Sequence, residues 1–317
     1  MTRQNDDRPH HANSTERHVG RDRARNYSRL VGQCSARRVS LLWSMPLIAV
    51  PQNPRFCDGG LMNLNEKVAI VTGGSRGIGR QLAVDLAKKG AHVVLAARDE
   101  ERLNAAVESI RSEGGSVAGL RCDVTDPVQI HHLVDSTESE HGRIDILVTC
   151  AAIAPPATVA DSSVEGLADV IRANLFGTMW CCQAVLPTMR RQQGGEIVTF
   201  SSHAAHLPLP GAAAYCASKA GVAAFSEALH VEVRSEGIHV FTMYPGVVPE
   251  TDLANADIAV RGAPPKLACV TAADVSGAVI HALGGKQSQV ALPRGSTAAL
   301  GVIRSLAPTW SLHKFAH

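Results

Sequence analysis

The chain has 317 residues, 45% of them hydrophobic, enough to bury the core of one α/β domain of roughly 250 residues with extensions. Aromatic residues make up only 4% and the net charge is +2; the first 60 residues hold ten arginines, no lysine and five acids (+5), leaving the remainder at −3. That remainder has neither a stacking surface for single-stranded nucleic acid nor a bulk attraction to phosphate backbones.

Eight scattered cysteines form no C-x-x-C pair and no Cys/His cluster at metal spacing, which reads as a reduced, cytoplasmic chain without a metal. No apolar run reaches the ~18 residues of a membrane span. Residues 1–60 read as a disordered Arg-rich extension. Within them, Arg37-Arg38 followed by an apolar stretch from Leu41 to Val50 has the outline of a targeting segment, but Pro46 breaks it and no clean cleavage site follows. Met62, six residues before the first strand, marks where the domain begins.

Val68 to Val71 reads as a buried parallel strand that breaks into Gly73, Gly77 and Gly79 and then a helix. Glycines in that context permit a tight turn, and the helix N-terminus offers free N–H groups to a pyrophosphate. The helix ends at Gly90, and His92 to Ala97 forms the second strand. An acid at the end of that strand would hold an adenosine ribose 2′-OH; here Ala97 is followed by Arg98, and Arg76 sits in the glycine turn. Two guanidinium groups suit a 2′-phosphate. A charged helix over 99–113 and a third strand, Val117 to Cys122, lead to Asp123-Val124, where the aspartate suits either an adenine amino group or the cap of helix 127–141. Ile144 to Thr149 is the fourth strand, completing a βαβα alternation whose ligands bind beyond the strand C-termini.

Helix 163–190 contains Asn174, whose amide needs partners inside an otherwise apolar helix. Strand Glu196 to Phe200 ends at Ser201-Ser202, and helix 214–236 opens with Tyr215 and Lys219, four apart and on one face. An ammonium beside a phenol favours the phenolate and lowers its pKa toward the operating range, while Ser202 is placed to polarise the same substrate oxygen. His203 and His206 read as lining residues.

Taken together, Thr72-Gly-Gly-Ser-Arg-Gly-Ile-Gly79, Asp123-Val124, Asn174, Ser201-Ser202, Tyr215-Cys-Ala-Ser-Lys219 and Pro245-Gly246 resemble the short-chain dehydrogenase/reductase family over about residues 62–290. The resemblance implies a single Rossmann-like α/β domain over 62–294, a doubly wound parallel sheet of about seven strands with helices on both faces. It implies Tyr215 as general acid/base, Lys219 on the nicotinamide ribose, Ser202 on the substrate oxygen and Asn174 positioning a relay water. Gly73, Ser75, Arg76, Gly77, Ile78, Gly79, Arg98, Asp123, Val124 and Ala151 would contact the dinucleotide, with Tyr215, Lys219, Pro245, Gly246, Val248 and Thr251 around the nicotinamide. It further implies transfer of the 4-pro-S hydride and a homodimer or homotetramer built on helices 163–190 and 214–236.

One departure stands out. Where the family shows N-N-A-G, this chain reads Thr149-Cys150-Ala151-Ala152, so Thr149 replaces only part of an asparagine's hydrogen bonding. Residues 252–268 read as a short mobile lid, Thr271 to Asp274 as the start of the last core helix, Val290 to Pro293 as the seventh strand, and 295–317 as an amphipathic tail interrupted by Pro308. The expected activity is hydride transfer between NADP(H) and a small-molecule carbonyl or secondary alcohol. The alternatives are an NAD-dependent alcohol dehydrogenase and a non-catalytic dinucleotide-binding regulator.

Overall fold

The computed structural model describes residues 62–294 and Ser296; the N-terminal extension and nearly all of the tail lie outside the described residues. Seven parallel strands run in the order β3-β2-β1-β4-β5-β6-β7: β1 Val68–Thr72, β2 His92–Ala97, β3 Val117–Arg121, β4 Ile146–Thr149, β5 Gly195–Phe200, β6 Ile238–Tyr244 and β7 Gln289–Ala291. The order reverses between β1 and β4, which makes the cleft beyond their C-termini the switch point. All five residues of β1 are buried because helices cover both faces.

Strand periodicity sends alternate side chains to opposite layers. Ala69 and Val71 join one core with Leu82 and Leu86 of α1 (Gly77–Lys88), Val107 and Ile110 of α2 (Glu100–Ser112), and Val275 and Val279 of α8 (Ala272–Ala282). Ile70 joins the other, with Ile130 and Leu133 of α3 (Pro127–His141), Cys182 and Val185 of α5 (Gly177–Arg191), and Leu229 of α6 (Ala213–Val233). The remaining helices are α4 (Val164–Ile171) and α7 (Asp252–Arg261).

Side-chain caps mark most helix starts: Asp99 before α2, Asp126 before α3, Ser163 before α4, Thr251 before α7, and a full capping box between Thr271 and Asp274 before α8. Asp126 rather than Asp123 therefore caps α3. The stretch 163–190 is not one continuous helix. A π turn over Arg172–Phe176 separates α4 from α5, with the Gly177 N–H reaching back five residues to the Arg172 carbonyl. Helix α6 stops at Val233, followed by a 3₁₀ turn and Gly237 in the left-handed region (φ 76°).

At the N-terminal end of the sheet, Asp145 accepts from the Val68 N–H at 3.0 Å, the Lys67 ammonium at 3.2 Å and the Arg143 guanidinium at 2.6 and 2.7 Å. Glu196 meets His239 at 2.8 Å and the Gly284 N–H at 3.2 Å.

Candidate active site

The site forms where β1, β4, β5 and β6 release their chains. Gly73 has φ 66° and passes so close to β4 that a Cβ there would lie 2.8 Å from Ala151 Cα; at Gly79 a Cβ would meet the Gly73 carbonyl at 2.5 Å. Any side chain at either position would fill the turn. Helix α1 then begins after Arg76 with no side-chain cap and no acid in its first turn, whereas α2, α3, α4, α7 and α8 each start on a side-chain cap. Its first N–H groups and positive dipole end are thus left for an anion. The turn fits a dinucleotide pyrophosphate, with Gly73, Ser75, Gly77, Ile78 and Gly79 forming its wall.

Around this turn the expected contacts sort themselves. Ala151 flanks Gly73. Arg98 is 60% exposed and lies 3.7 Å from Asp123, whose other oxygen takes the Thr125 N–H and hydroxyl. Val124 is buried, its side chain packed under Gly177 at the start of α5. Gly246 leaves no room for a Cβ beside the Ala268 carbonyl (2.5 Å), and Val247 pairs with Cys269, so the segment after Pro245 is fixed by packing. Thr251 caps α7 and donates to the Val248 carbonyl at 2.9 Å, so its hydroxyl is engaged within its own segment. The first part of that lid, expected as a mobile segment, is the helix α7.

On the other side of the cleft, the Tyr215 phenol faces the Ser202 hydroxyl, which acts to lower its pKa, and the Lys219 Nζ lies 5.7 Å from the Tyr215 ring centroid. Lys219, 4% exposed, donates to the Phe200 carbonyl at 2.8 Å. Ser202 also accepts from the Ala204 N–H at 3.2 Å, and Ser201 donates to the Lys219 carbonyl at 2.8 Å, tying β5 to α6. Asn174, in the π turn, is fully buried. Its Oδ1 accepts from the Ile153 N–H at 2.8 Å, and its Nδ2 donates to the Ile153 carbonyl at 2.9 Å and the Ser218 hydroxyl at 3.0 Å. The amide's need for partners is met by a loop and a neighbouring helix. Ser218 had no sequence signal for this role.

The electrostatics reverse one expectation. Burial pushes the Tyr215 phenol up to about 12, against the opposing hydrogen bond from Ser202, instead of Lys219 bringing it down. The same burial pushes the Lys219 ammonium down to about 8. Desolvation of the charged form is the largest cause of both shifts. Cys150 lies close by. Burial raises its thiol to about 11, opposed by the charge of Lys219 and a hydrogen bond with the Gly79 backbone. Thr149, at the end of β4, is 3% exposed and its Oγ1 has no partner, the cost expected where asparagine is replaced.

His203 bonds the Ser296 hydroxyl at 2.7 Å, and His206 stacks on Tyr244 with centroids 5.7 Å apart. Among the described residues no group of His, Cys, Asp or Glu is arranged to hold a metal, and no helix is long and apolar enough to cross a membrane. Two residues the sequence reading missed, Arg102 and Asp252, join Arg76 at the mouth of the glycine turn.

A glycine turn shaped for a pyrophosphate at the switch point of a doubly wound sheet, facing a half-buried Ser202 and Tyr215 with Lys219 buried beside them, marks the class of a dinucleotide-dependent oxidoreductase. The chain belongs to the short chain dehydrogenase family, whose model matches residues 67–260. It is 38% identical over 185 residues to the D-threitol dehydrogenase of Mycolicibacterium smegmatis, covering 58% of this chain and 71% of that protein. Among solved structures, a short chain dehydrogenase/reductase from Burkholderia phymatum in complex with NAD matches with a TM-score of 0.69 and 26% identity, over 77% of this chain and 94% of that one. A metagenomic short-chain oxidoreductase in complex with NADP matches with a TM-score of 0.63 and 28% identity, over 73% and 98%.

Proposed function

We propose that the chain interconverts a carbonyl and a secondary alcohol with NADP(H), Tyr215 serving as general acid/base. The observation that carries this reading is the Lys219 Nζ lying 5.7 Å from the Tyr215 ring centroid, one helical turn along the same face, with Ser202 at the end of the adjoining strand acting on the same phenol. The dinucleotide, when bound, supplies or accepts the hydride. Ser202 hydrogen-bonds the substrate oxygen and polarises it. Tyr215, protonated at neutral pH, donates a proton to that oxygen when the carbonyl is reduced and takes it back when the alcohol is oxidised. Lys219 stabilises the phenolate left behind and holds the nicotinamide ribose. Both N–H groups of the Asn174 amide are used, so a relay water would sit at its Oδ1, which accepts only the Ile153 N–H and keeps a second lone pair.

The choice of NADP(H) rests on Arg76 and Arg98, since β2 ends at Ala97 without a carboxylate. Asp123 and Val124 would line the adenine, and Pro245, Gly246, Val248 and Thr251 the nicotinamide. The exposed Val164 (77%), Phe176 (43%) and Val231 (66%) on the helices flanking the site support a homodimer or homotetramer, and free cysteines support a cytoplasmic location. The test is a panel of small ketones with NADPH or NADH oxidation as readout. Turnover with NADPH preferred supports the reading; equal use of the two, or preference for NADH, overturns the arginine argument. NADPH binding without turnover on any substrate would make the chain a regulator.

A further inference from the structure

Arg76 is not free in the glycine turn. Its Nη1 is hydrogen-bonded to Asp252 Oδ2, and the same oxygen takes Arg102 Nη1 at 3.2 Å. Three elements meet in this contact: the turn before α1, the first turn of α2, and the first residue of the lid helix α7. The lid is also seated sterically on the turn, since a Cβ at Gly77 would lie 3.1 Å from Thr251 Cγ2. Asp252 is not needed as the helix cap, because Thr251 fills that role. One carboxylate therefore serves two guanidinium groups, and Arg102 is further shared with Asp99 at 3.2 Å. With Asp99 counted, two guanidinium groups face two carboxylates, so an incoming phosphate has to displace a carboxylate to be held. All three side chains are more than half exposed, so a ligand has direct access. The Arg76 contact, followed by that of Arg102, also holds the Asp252 carboxyl below its ordinary range.

We infer that Asp252 and the 2′-phosphate of the cofactor compete for Arg76 and Arg102, so that the lid is ionically latched to the glycine turn until a 2′-phosphorylated nucleotide displaces it. A phosphate brings more charge and more acceptor oxygens than a carboxylate and wins that exchange. A nucleotide with a bare 2′-OH leaves the latch closed. Asp252 and Arg102 thus become specificity determinants. The inference rests on Arg76 facing the 2′-phosphate.

Calorimetric affinities for NADPH, NADH, 2′,5′-ADP and 5′-ADP test it on the full chain. Asp252→Asn should tighten NADPH and 2′,5′-ADP by about three- to fivefold, the range of exposed ion pairs, while NADH and 5′-ADP stay within about twofold. Arg102→Gln should weaken the 2′-phosphorylated pair selectively. In an Arg76→Gln/Arg102→Gln background Asp252→Asn should gain nothing. The inference is overturned if Asp252→Asn weakens NADPH, which would make Asp252 a positioning residue for the arginines. It is equally overturned if all four ligands shift alike or none does. If the wild type binds NADH as tightly as NADPH and Arg76→Gln alters neither, the cofactor reading itself fails, a result separate from the latch.

Discussion

At the N-terminal ends of β1 and β4, Asp145 is met by a backbone N–H, a lysine and an arginine, and nearby Glu196 is met by His239 and a backbone N–H. At the C-terminal ends of the same sheet, Thr149 Oγ1 has no partner, burial pushes the Lys219 ammonium down and the Tyr215 phenol up, and a helix carries a π turn. The contrast separates two tasks. Paired charges at one end hold the strands in register, while under-solvated groups at the other cost stability and supply reactivity. Cofactors of this fold class bind at the second end, where the strand order reverses.

Substitutions at each end sharpen this contrast. The largest effect is expected from Tyr215→Phe, which should cut turnover by about a thousandfold or more while NADPH affinity and the unfolding midpoint barely move. Asp145→Asn should do the reverse, lowering stability by about 2 kcal/mol in denaturant titration with turnover per folded molecule unchanged. Burial alone would raise the Asp145 carboxyl, but Arg143, the Val68 N–H and Lys67 together hold it below its ordinary value of 3.8. Its contribution is therefore present above that value and lost as pH falls through the lower folded pKa.

Lys219→Met should abolish turnover yet raise stability at pH 7 by about 1–2 kcal/mol, because a buried ammonium disappears. The folded pKa, about 8, lies below the ordinary 10.5, so the wild type pays its full desolvation cost below pH 8. The advantage of Lys219→Met should shrink as pH rises from 8 toward 10.5, which thermal unfolding across that window would show. The smallest effect is expected at Thr149→Val, a gain of about 1 kcal/mol in chemical denaturation from removing a buried hydroxyl without a partner. A loss of stability there would mean that the hydroxyl is answered in solution.

The strands, the glycine turn and the Tyr215–Lys219 face were legible because they rest on local regularities: alternation, a run of glycines and the four-residue helical repeat. Thr149 was legible as a deficit because its hydroxyl is too short to replace an amide. The direction of the Tyr215 shift was not, since it depends on how completely distant segments enclose the hydroxyl. Nor was the Arg76–Asp252 contact, whose partners are 176 residues apart and joined only when the lid folds back. The need of Asn174 for partners was visible, but Ile153 and Ser218 as those partners were not.

The π turn at Arg172–Phe176 amounts to one residue more than a regular helix needs. Deleting a single residue there would restore an unbroken α-helix by taking up the bulge, with the flanking turns of α4 and α5 kept in register. Asn174 would then swing away from the Ile153 loop, and the bond between that loop and α6 through Ser218 would go with it. In this segment the reading frame of the helix, not merely its composition, carries the information, so a deletion that smooths the backbone would dismantle the wall of the site.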